Sequence, residues 1–294
     1  MTNNNNALPF VSVIMPVRNE GIFIERSLKA VLDQTYPANL MEVVIADGMS
    51  TDDTRERIKR LAGSGQSVVK IVDNEKRIAP SGLNRALEQA KGEVVIRVDG
   101  HCEIDAAYVE NCVALLLAGK ADGVGGPIET IGETAVARAI ALAMSSKFGV
   151  GGSAFRTVED REIYTDTVAF PGYTRTILDR AGPFNEELVR NQDDEYNFRI
   201  RKMGGRILLS PTIRSRYYSR STLRSLWRQY YQYGYWKVRV LQLHPKQMSI
   251  RQFVPFAFVV SLITLAILGV LTNFGWLLLL AVAALYLAAN ILAA

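Results

Sequence analysis

Acidic residues are missing from the last third of this sequence. No Asp or Glu follows Glu195, whereas thirteen Lys or Arg do; up to and including Glu195, twenty-nine acidic residues outnumber twenty-one basic ones. The net charge of +5 is therefore the sum of an acidic N-terminal part, up to Glu195, and a basic C-terminal part. A basic segment is compatible with binding to nucleic acid, but this one is followed directly by apolar runs. We therefore expect an anionic membrane surface, and no nucleic acid, as its partner.

Cysteine is also scarce, and the dinucleotide-binding fingerprint is absent. Cys102 and Cys112 are the two cysteines, and in a cytoplasmic domain they are expected to be reduced thiols. No Gly-x-Gly-x-x-Gly follows the first predicted strand, which disfavours a hydride-transfer cofactor. The N-terminus, residues 1–9, is polar and lacks an apolar segment, so it predicts disorder and no secretory signal.

Long uncharged apolar runs occupy the C-terminal end. Residues 255–271 and 275–294 carry no charge, and each approaches the ~20 residues that a spanning helix needs. We expect two transmembrane helices within 253–294; a buried hydrophobic hairpin is the alternative. By the positive-inside rule, the flanking basic residues predict a cytoplasmic membrane protein whose catalytic part faces the cytoplasm. These residues are Lys237, Arg239, Lys246 and Arg251.

The first hundred residues alternate between short apolar runs and segments of helical spacing. This alternation predicts an open α/β sheet of the nucleotide-binding kind within a catalytic domain at residues 10–220. The predicted strands are Phe10–Met15, Met41–Ala46, Val68–Val72 and Val94–Val98. The predicted helices are Ile22–Leu32, Thr54–Leu61 and one that follows a 74–84 loop and runs through Ala86–Ala90.

Polar residues follow the first three strands, where such sheets bind ligands. The loop Pro16-Val17-Arg18-Asn19-Glu20 precedes a helix whose free N–H groups suit a nucleotide, although an ordinary strand-to-helix turn gives the same pattern. Asp47 ends the second strand, where a carboxylate can accept hydrogen bonds from a base or ribose. Arg77 is either a phosphate ligand or a solvated surface residue.

The fourth strand ends in Asp99-Gly100-His101. Asp99 and His101 stand on either side of a glycine, so both side chains can bind one divalent cation. Such a cation keeps further coordination positions for phosphate oxygens. Taken alone, the same residues are more typical of a strand followed by a solvated Asp-Gly turn, because short motifs match by chance.

A second acidic group lies at Asp193, Asp194 and Glu195, at the start of a predicted helix that ends at Gly204-Gly205. Three carboxylates there suit the helix dipole. Repulsion within such a cluster also raises the pKa of one member, which suits a general base. Both explanations stand at this stage.

Three further segments predict loops or surfaces. Residues 123–127 indicate a sharp turn, and Gly-rich residues 148–152 indicate a loop that allows close approach of a ligand. Pro171-Gly172-Tyr173 is a predicted rim for the acceptor. Residues 221–252 mix arginines with six Trp or Tyr residues and predict an amphipathic helix in the headgroup region; stacking on single-stranded nucleic acid is the competing interpretation.

Four segments together resemble a family 2 glycosyltransferase of the GT-A fold, which is a Rossmann-like nucleotide-diphospho-sugar transferase. The resemblance covers about 10–236 and is greatest to the membrane-associated glucosyltransferases of succinoglycan-type exopolysaccharide synthesis. The segments are MPVRNE, ADGMSTDDT, the Asp99-Gly100-His101 turn and QDDEYNFRIRKMG.

The resemblance implies roles for most of the residues singled out above. Pro16 to Glu20 and Asp47 would hold uridine, Asp99 with His101 would bind Mg²⁺ or Mn²⁺ and the diphosphate, and Asp193 would be the base. Gln232, Tyr235 and Trp236 fall where polymerising relatives carry Gln-x-x-Arg-Trp.

This sequence departs from the family pattern at three positions. His101 replaces an Asp, which implies weaker metal binding or a preference for Mn²⁺. Gln192 replaces the Glu before Asp193, which leaves the base open between Asp193 and Asp194. Tyr235 replaces an Arg, which favours single-sugar addition over polymerisation.

These observations lead us to expect a metal-dependent, inverting glycosyltransferase with a UDP-sugar donor, UDP-glucose being favoured. The expected acceptor is a polyprenyl-diphosphate-linked or other lipid-linked saccharide in exopolysaccharide synthesis. A nucleotidyltransferase is one alternative, although MPVRNE lacks the Gly-rich basic loop of that class. A non-catalytic, membrane-tethered nucleotide-binding module is the other, if Gln192 and His101 mark a decayed site.

Overall fold

The computed structural model describes residues 7–63, 67–219, 221–247 and 250–293. The strands within this part of the chain are β1 Val11–Val17, β2 Met41–Asp47, β3 Val68–Asp73, β4 Val94–Arg97, β5 Cys102–Ile104, β6 Gly123–Gly126, β7 Ile128–Ile131, β8 Ile163–Tyr164, β9 Ala169–Thr174, β10 Ile207–Leu209 and β11 Ser215–Tyr218. The α-helices are α1 Ile24–Leu32, α2 Thr54–Ala62, α3 Ala79–Gln89, α4 Tyr108–Leu117, α5 Ala135–Ser145, α6 Lys147–Val150, α7 Ala154–Thr157, α8 Arg175–Ala181, α9 Gln192–Lys202, α10 Leu223–Leu243, α11 Val254–Leu271 and α12 Asn273–Ala293. Short 3₁₀ turns cover Ala38–Leu40, Pro245–Gln247 and Ile250–Phe253.

An eight-stranded mixed sheet forms the centre of the fold, in the order β3-β2-β1-β4-β9-β6-β10-β8. The first four strands in this order are parallel, and β9 runs antiparallel to both of its neighbours. Side chains of β1 alternate between two cores: Val13 and Met15 pack on one face, and Ile14 packs on the other. Burial on both faces explains why the strand reads as a nearly continuous apolar run. A smaller sheet has the order β5-β11-β7.

The register of the parallel strands brings their carboxyl ends to one edge. Val17 pairs with Asp47, and Asp47 pairs with Asp73. Ile14 pairs with Arg97, so the residues after Arg97 emerge at the same edge. The prediction of four strands in an open α/β sheet is confirmed. Ligands bind at this edge in such sheets, and a shared ligand site there stays a prediction.

Three local predictions are wrong. The predicted 74–84 loop gives way to α3 at Ala79, where Pro80 is tolerated in the first helical turn. The predicted 123–127 turn is the buried strand β6; a Cβ added to Gly126 would lie 1.5 Å from the Ile213 carbonyl oxygen, so glycine allows close backbone approach there. The predicted 148–152 loop contains the short helix α6.

The prediction that residues 1–9 are disordered can be compared with the structure only from residue 7 onward. Residues 1–6 lie outside the described part of the chain. Pro9, by contrast, is buried, and its carbonyl accepts a hydrogen bond from the Tyr36 hydroxyl at 2.5 Å. The prediction of disorder is therefore wrong at Pro9.

Three long helices complete the described chain. The exposed side of α10 is aromatic, as predicted for the 221–252 region. Two helices are long and apolar enough to cross a membrane: Val254–Leu271 with a mean hydropathy of 2.6, and Asn273–Leu292 with 2.1; each is 6% buried. They form a hairpin that turns at Thr272. The two helices approach so closely there that a Cβ added to Gly269 would lie 2.8 Å from the Trp276 ring. Phe258 and Tyr286, equally far from Thr272, pack with ring centroids 4.9 Å apart.

Candidate functional site

Asp47 anchors the loop after β2 from a position that is 0% exposed. Its carboxylate accepts hydrogen bonds from the Ser50 hydroxyl at 2.5 Å and the Ser50 N–H at 3.2 Å. Arg55 Nε lies 3.3 Å from Asp47 Oδ2, an ion pair without hydrogen-bond alignment. These contacts hold the 48–51 loop at the carboxyl edge of the sheet, and the contact of Asp47 with a base or ribose stays a prediction.

The segment after β1 lies beside this loop. The Arg18 side chain passes so close to Gly48 that a Cβ added to Gly48 would lie 3.1 Å from Arg18 Cβ. Arg18 Nη1 donates to the Arg77 carbonyl at 3.3 Å, so two exposed arginines meet at the mouth of the cleft. Arg77 has a φ of +59°, which presents its side chain from a left-handed turn. Binding of phosphates by Arg18 and Arg77 stays a prediction.

Val17 and Pro16 contribute backbone and packing instead of a side-chain contact to a ligand. Val17 is 4% exposed and packs in the core, and its carbonyl accepts the Gly48 N–H at 2.8 Å. Pro16 is half-buried within β1. Because the Val17 side chain faces the core, its backbone is the part left for a nucleotide, and nucleotide binding by Pro16 and Val17 stays a prediction.

Arg97 joins the two carboxylate groups that the sequence places almost a hundred residues apart. Its guanidinium donates to both oxygens of Asp99, from Nε at 2.9 Å and from Nη2 at 3.1 Å. Its remaining nitrogen, Nη1, lies 3.6 Å from Asp193 Oδ2. Asp99 and Asp193 thus face the same cleft, on either side of one buried cation.

The charges around Asp99 favour its ionised form. Burial by itself raises the pKa of this carboxyl, but the positive charge of Arg97 and of other nearby cations outweighs burial and holds the pKa below its usual range. Arg190, on the segment before α9, is one of those cations. Asp99 is therefore an anion across the physiological pH range.

His101 is oriented by Glu20. His101 Nδ1 lies 2.9 Å from Glu20 Oε1, and because a carboxylate only accepts, Nδ1 must donate. When the imidazole is neutral, this contact selects the tautomer in which Nε2 carries the lone pair, which is the form that ligates metals. The Tyr217 ring packs edge-on against the imidazole, with centroids 5.5 Å apart.

Asp193 and Asp194 differ sharply in environment. The Asp193 side chain is 41% exposed, accepts the Asp194 N–H at 2.9 Å and faces Arg97. Asp194 instead forms an ion pair with Lys237 of α10, and its side chain is 23% exposed. Burial raises the pKa of Asp194, and the Lys237 ammonium offsets only part of this rise. The open carboxylate on the cleft is Asp193.

Helix α10 is attached to the segment that carries these carboxylates. Four of its polar groups, and the side chain of His244 directly after it, contact residues 187–195. The pairs are Arg190 Nε to Gln232 Oε1 (3.3 Å), Asn191 Nδ2 to the Tyr233 carbonyl (3.1 Å), Lys237 with Asp194, Arg239 Nη2 to Glu187 Oε2 (2.8 Å), and His244 Nε2 with Glu195 Oε1 (3.0 Å).

The predicted acceptor residues divide into two groups. Gln232 contacts Arg190 and lies at the cleft, whereas Tyr235 is 61% exposed and packs edge-on against Trp236. The prediction that Pro171, Gly172 and Tyr173 form a rim is wrong. All three are buried in β9 between β4 and β6, and the Tyr173 hydroxyl donates to Asn197 Oδ1 at 2.6 Å.

Sequence reasoning missed Arg97, Arg190 and Lys237. Arg97 carried a usable signal, because a charged residue inside the apolar run Val94–Val98 requires a buried partner. Asp99, two residues on, lies on the same side of an extended chain and is the nearest candidate.

Comparison with known proteins follows from this geometry. The sequence profile described as "Glycosyl transferase family 2" matches residues 12–182, more than half of the chain. The chain belongs to glycosyltransferase family 2. The match begins in β1 and includes Asp47, Asp99 and His101.

Two relatives match this glycosyltransferase over most of its length. "Succinoglycan biosynthesis protein ExoA" of Rhizobium meliloti (strain 1021) is 34% identical over 251 residues, 83% of this chain and 74% of ExoA. A Methanococcus voltae protein is 29% identical over 269 residues, 89% of this chain and 83% of its own. It is named "Dolichyl N-acetyl-alpha-D-glucosaminyl phosphate 3-beta-D-2,3-diacetamido-2,3-dideoxy-beta-D-glucuronosyltransferase".

Solved structures confirm that this glycosyltransferase has the GT-A fold. The mannosyltransferase PcManGT from Pyrobaculum calidifontis, in complex with GDP-Man and Mn²⁺, matches with a TM-score of 0.56 and 24% identity over 71% of this chain. TarS 1-349 of S. aureus, in complex with UDP-GlcNAc, matches with a TM-score of 0.56 and 20% identity over 72%. This chain spans 57% and 59% of those two chains, less than two thirds of either.

The side chains that are candidates for metal binding suit a hard cation that a diphosphate also binds. Among the described residues, no three His, Cys, Asp or Glu side chains converge as a complete metal site. Asp99 and His101 are the two predicted protein ligands, and Mg²⁺ or Mn²⁺ commonly takes its remaining ligands from phosphates and water. The Glu20–His101 contact is the carboxylate–histidine arrangement that accompanies metal-binding histidines.

Proposed function

We propose that this chain transfers a hexose, glucose, from a UDP-sugar to a lipid-linked saccharide during exopolysaccharide synthesis, with inversion at the anomeric carbon. The observation that carries this proposal is the Arg97 bridge, because it aligns a donor-side carboxylate, Asp99, with an acceptor-side carboxylate, Asp193, across one cleft. The Methanococcus relative supports a lipid-linked acceptor and a β-linkage by its name, and ExoA supports succinoglycan-type synthesis.

The proposed reaction is a single displacement. The bond between the anomeric carbon and the diphosphate oxygen breaks, a bond to the acceptor oxygen forms, and the acceptor proton goes to Asp193 Oδ. Attack from the face opposite the leaving group converts an α-linked donor into a β-linked product. Arg97 stabilises the charged form of Asp99 and lies between the two carboxylates. A divalent cation, when bound to Asp99 and His101, would supply positive charge to the departing diphosphate.

We also propose the placement of the chain at the membrane. Helices α11 and α12 would span the cytoplasmic membrane as a hairpin, residues 10–220 would form the catalytic domain on the cytoplasmic side, and 221–252 would lie at the interface. The aromatic face of α10 and the absence of acidic residues after Glu195 support this arrangement, since anionic lipid attracts basic segments.

The donor prediction is tested with the full chain in lipid vesicles and an undecaprenyl-diphosphate-linked sugar as acceptor. UDP-glucose is expected to give the highest turnover among UDP-glucose, UDP-galactose, UDP-GlcNAc and GDP-mannose. The readout is release of the nucleoside diphosphate, which is UDP from the first three donors and GDP from the fourth, and the product linkage is determined by NMR. GDP-mannose serves as the rival donor because PcManGT was solved with it. If GDP-mannose is the only donor that is turned over, the proposed UDP-sugar donor is wrong and a GDP-sugar takes its place. An α-linked product would overturn the single displacement.

A substitution at Glu20 tests its role beside His101. Glu20→Ala is expected to weaken Mn²⁺ binding by about 10–100-fold in the presence of UDP, measured by calorimetry or electron paramagnetic resonance, because the imidazole loses the group that fixes its tautomer. Glu25→Ala is the matched control, since Glu25 pairs with Arg57 on the surface. Equal Mn²⁺ affinity in the two variants would show that Glu20 does not support a metal ligand.

A further inference from the structure

The α5–α6 segment, Ala135–Val150, has an unusual surface for a helix that caps an α/β domain. One side of α5 is buried, through Ala137, Ile140, Ala141 and Met144. Its other side is also apolar: Val136 is 44% exposed, Leu142 is 67% exposed, and Ala135, Ala139 and Ala143 are exposed too. Apart from Arg138, α5 is thus apolar on both sides as far as Met144, and such a helix belongs beside an apolar surrounding more than at a surface that faces water only.

The charges of the segment are all of one sign. Arg138 and Lys147 are its charged residues, both are exposed, and no Asp or Glu occurs from Ala135 to Phe155. Exposed basic residues beside an apolar face are the pattern of helices that lie on anionic bilayers. A protein partner with an apolar patch would not by itself account for this bias.

The apolar surface of the segment is continuous with the membrane hairpin. The Phe148 ring, 46% exposed, contacts Tyr286 of α12 with centroids 5.9 Å apart, and Tyr286 in turn contacts Phe258 of α11. Phe258 lies one turn after the start of α11, about 6 Å along the helix. Phe148 therefore meets the hairpin near its domain-proximal end, at a depth where interfacial helices rest, about 5–10 Å into the boundary.

The segment also leads towards the cleft. Arg156 of α7 donates to Thr130 Oγ1 at 3.1 Å, and its guanidinium carbon lies 5.9 Å from the centre of the Tyr217 ring, which packs against His101. The charge of Arg156 also reaches Tyr230 of α10. Through Arg156, α7 thus lies near Tyr217, which packs against His101, and near Tyr230 of α10.

We propose that α5–α6 is a second membrane-binding element, which inserts its Val136, Leu142 and Phe148 side chains into the headgroup boundary of an anionic bilayer opposite α10. A lipid-linked acceptor would then reach the cleft between two elements that both contact the membrane. This inference rests on the proposed membrane placement of the hairpin, and the experiment below separates the two.

The test uses the full chain with Leu142→Cys, labelled with an environment-sensitive fluorophore and reconstituted into vesicles of phosphatidylglycerol and phosphatidylcholine. The native Cys102 and Cys112 are buried, so the label is expected to report the introduced residue, and the unsubstituted chain checks this. Leu277→Cys on α12 is the membrane reference. Val68→Cys, 59% exposed at the amino end of the edge strand β3, is the aqueous reference. Retained UDP binding shows that each variant is folded.

The Leu142 label is expected to shift to shorter wavelength on reconstitution and to be quenched by spin-labelled lipid about as strongly as the Leu277 label, while the Val68 label is unaffected. A Leu142 label that stays in water while the Leu277 label is quenched would overturn the inference and leave the hairpin in place. If both labels stay in water, the membrane placement in the proposed function fails as well. A shift that persists in detergent and grows with protein concentration would indicate a second copy of the chain on this face and would also overturn the inference.

Discussion

Asp193→Asn is expected to lower kcat for sugar transfer by about 10²–10⁴, the range that a positioned general base contributes. The amide keeps the shape of the carboxylate and its contact with the Asp194 N–H, but it cannot take a proton from the acceptor hydroxyl. UDP binding should persist, because Arg97 retains both of its hydrogen bonds to Asp99. Steady-state turnover with the lipid-linked acceptor and calorimetric titration with UDP measure the two effects separately.

Asp194→Asn is the matched control, one residue along the same helical turn. It leaves the Lys237 ammonium facing a neutral amide, so its main effect is expected on stability. Removing one partner of a fully buried ion pair costs about 3–5 kcal/mol, and we expect on the order of 1–3 kcal/mol because about a fifth of each side chain stays exposed. A lower Tm with partly retained kcat is the expected result.

The two variants together assign the base. If Asp193→Asn remains active while Asp194→Asn is inactive at an unchanged Tm, the proton acceptor is Asp194. In that case the burial-raised pKa of Asp194 would be the functional property, and Lys237 would be its tuning partner. If both variants keep wild-type kcat, neither carboxylate takes the proton and the displacement described above is incorrect.

Local sequence pattern was sufficient for the parallel half of the sheet. The runs that form β1, β2 and β4 are mostly apolar on both faces and are followed by polar residues. That they are strands, their order along the chain and the edge at which they end therefore follow from the sequence pattern. Asp99 and Asp47 were placed at that edge for the same reason. Their register did not need to be known, because parallel strands joined by helices bring all carboxyl ends to one side.

The other half of the site depends on contacts between distant segments, which periodicity does not encode. Strand β9 enters the sheet antiparallel, between β4 and β6, and this buries Pro171 to Tyr173 where a surface rim was expected. The distinction between Asp193 and Asp194 is made by Lys237, forty-three residues further along, on a helix that sequence pattern assigned to the membrane surface. One helix thus has two roles: its aromatic side faces outward, and its polar side holds the acidic segment.

Asp99→Ala is expected to have the second large effect, the loss of metal-dependent nucleotide binding. The variant removes an anionic ligand at a strand end and leaves the buried Arg97 charge beside the place where a cation would bind, so attraction is replaced by repulsion. Removing a second-shell partner typically costs about 10–100-fold in metal affinity, so loss of a ligand should exceed about 100-fold. The measurement is UDP affinity with Mn²⁺ and, separately, with a chelator.

Two controls make this result specific. Asp73→Ala removes an exposed carboxylate from the same edge of the sheet, and its Mn²⁺-dependent UDP affinity should match that of the unsubstituted chain. His101→Asp restores the acidic pair of the family motif and is expected to raise affinity for Mg²⁺ relative to Mn²⁺, because a hard oxygen replaces an imidazole nitrogen. Wild-type turnover that is indifferent to a chelator would reject the cation. Arg97 and Arg190 would then be the cationic groups nearest Asp99 that could neutralise the departing diphosphate.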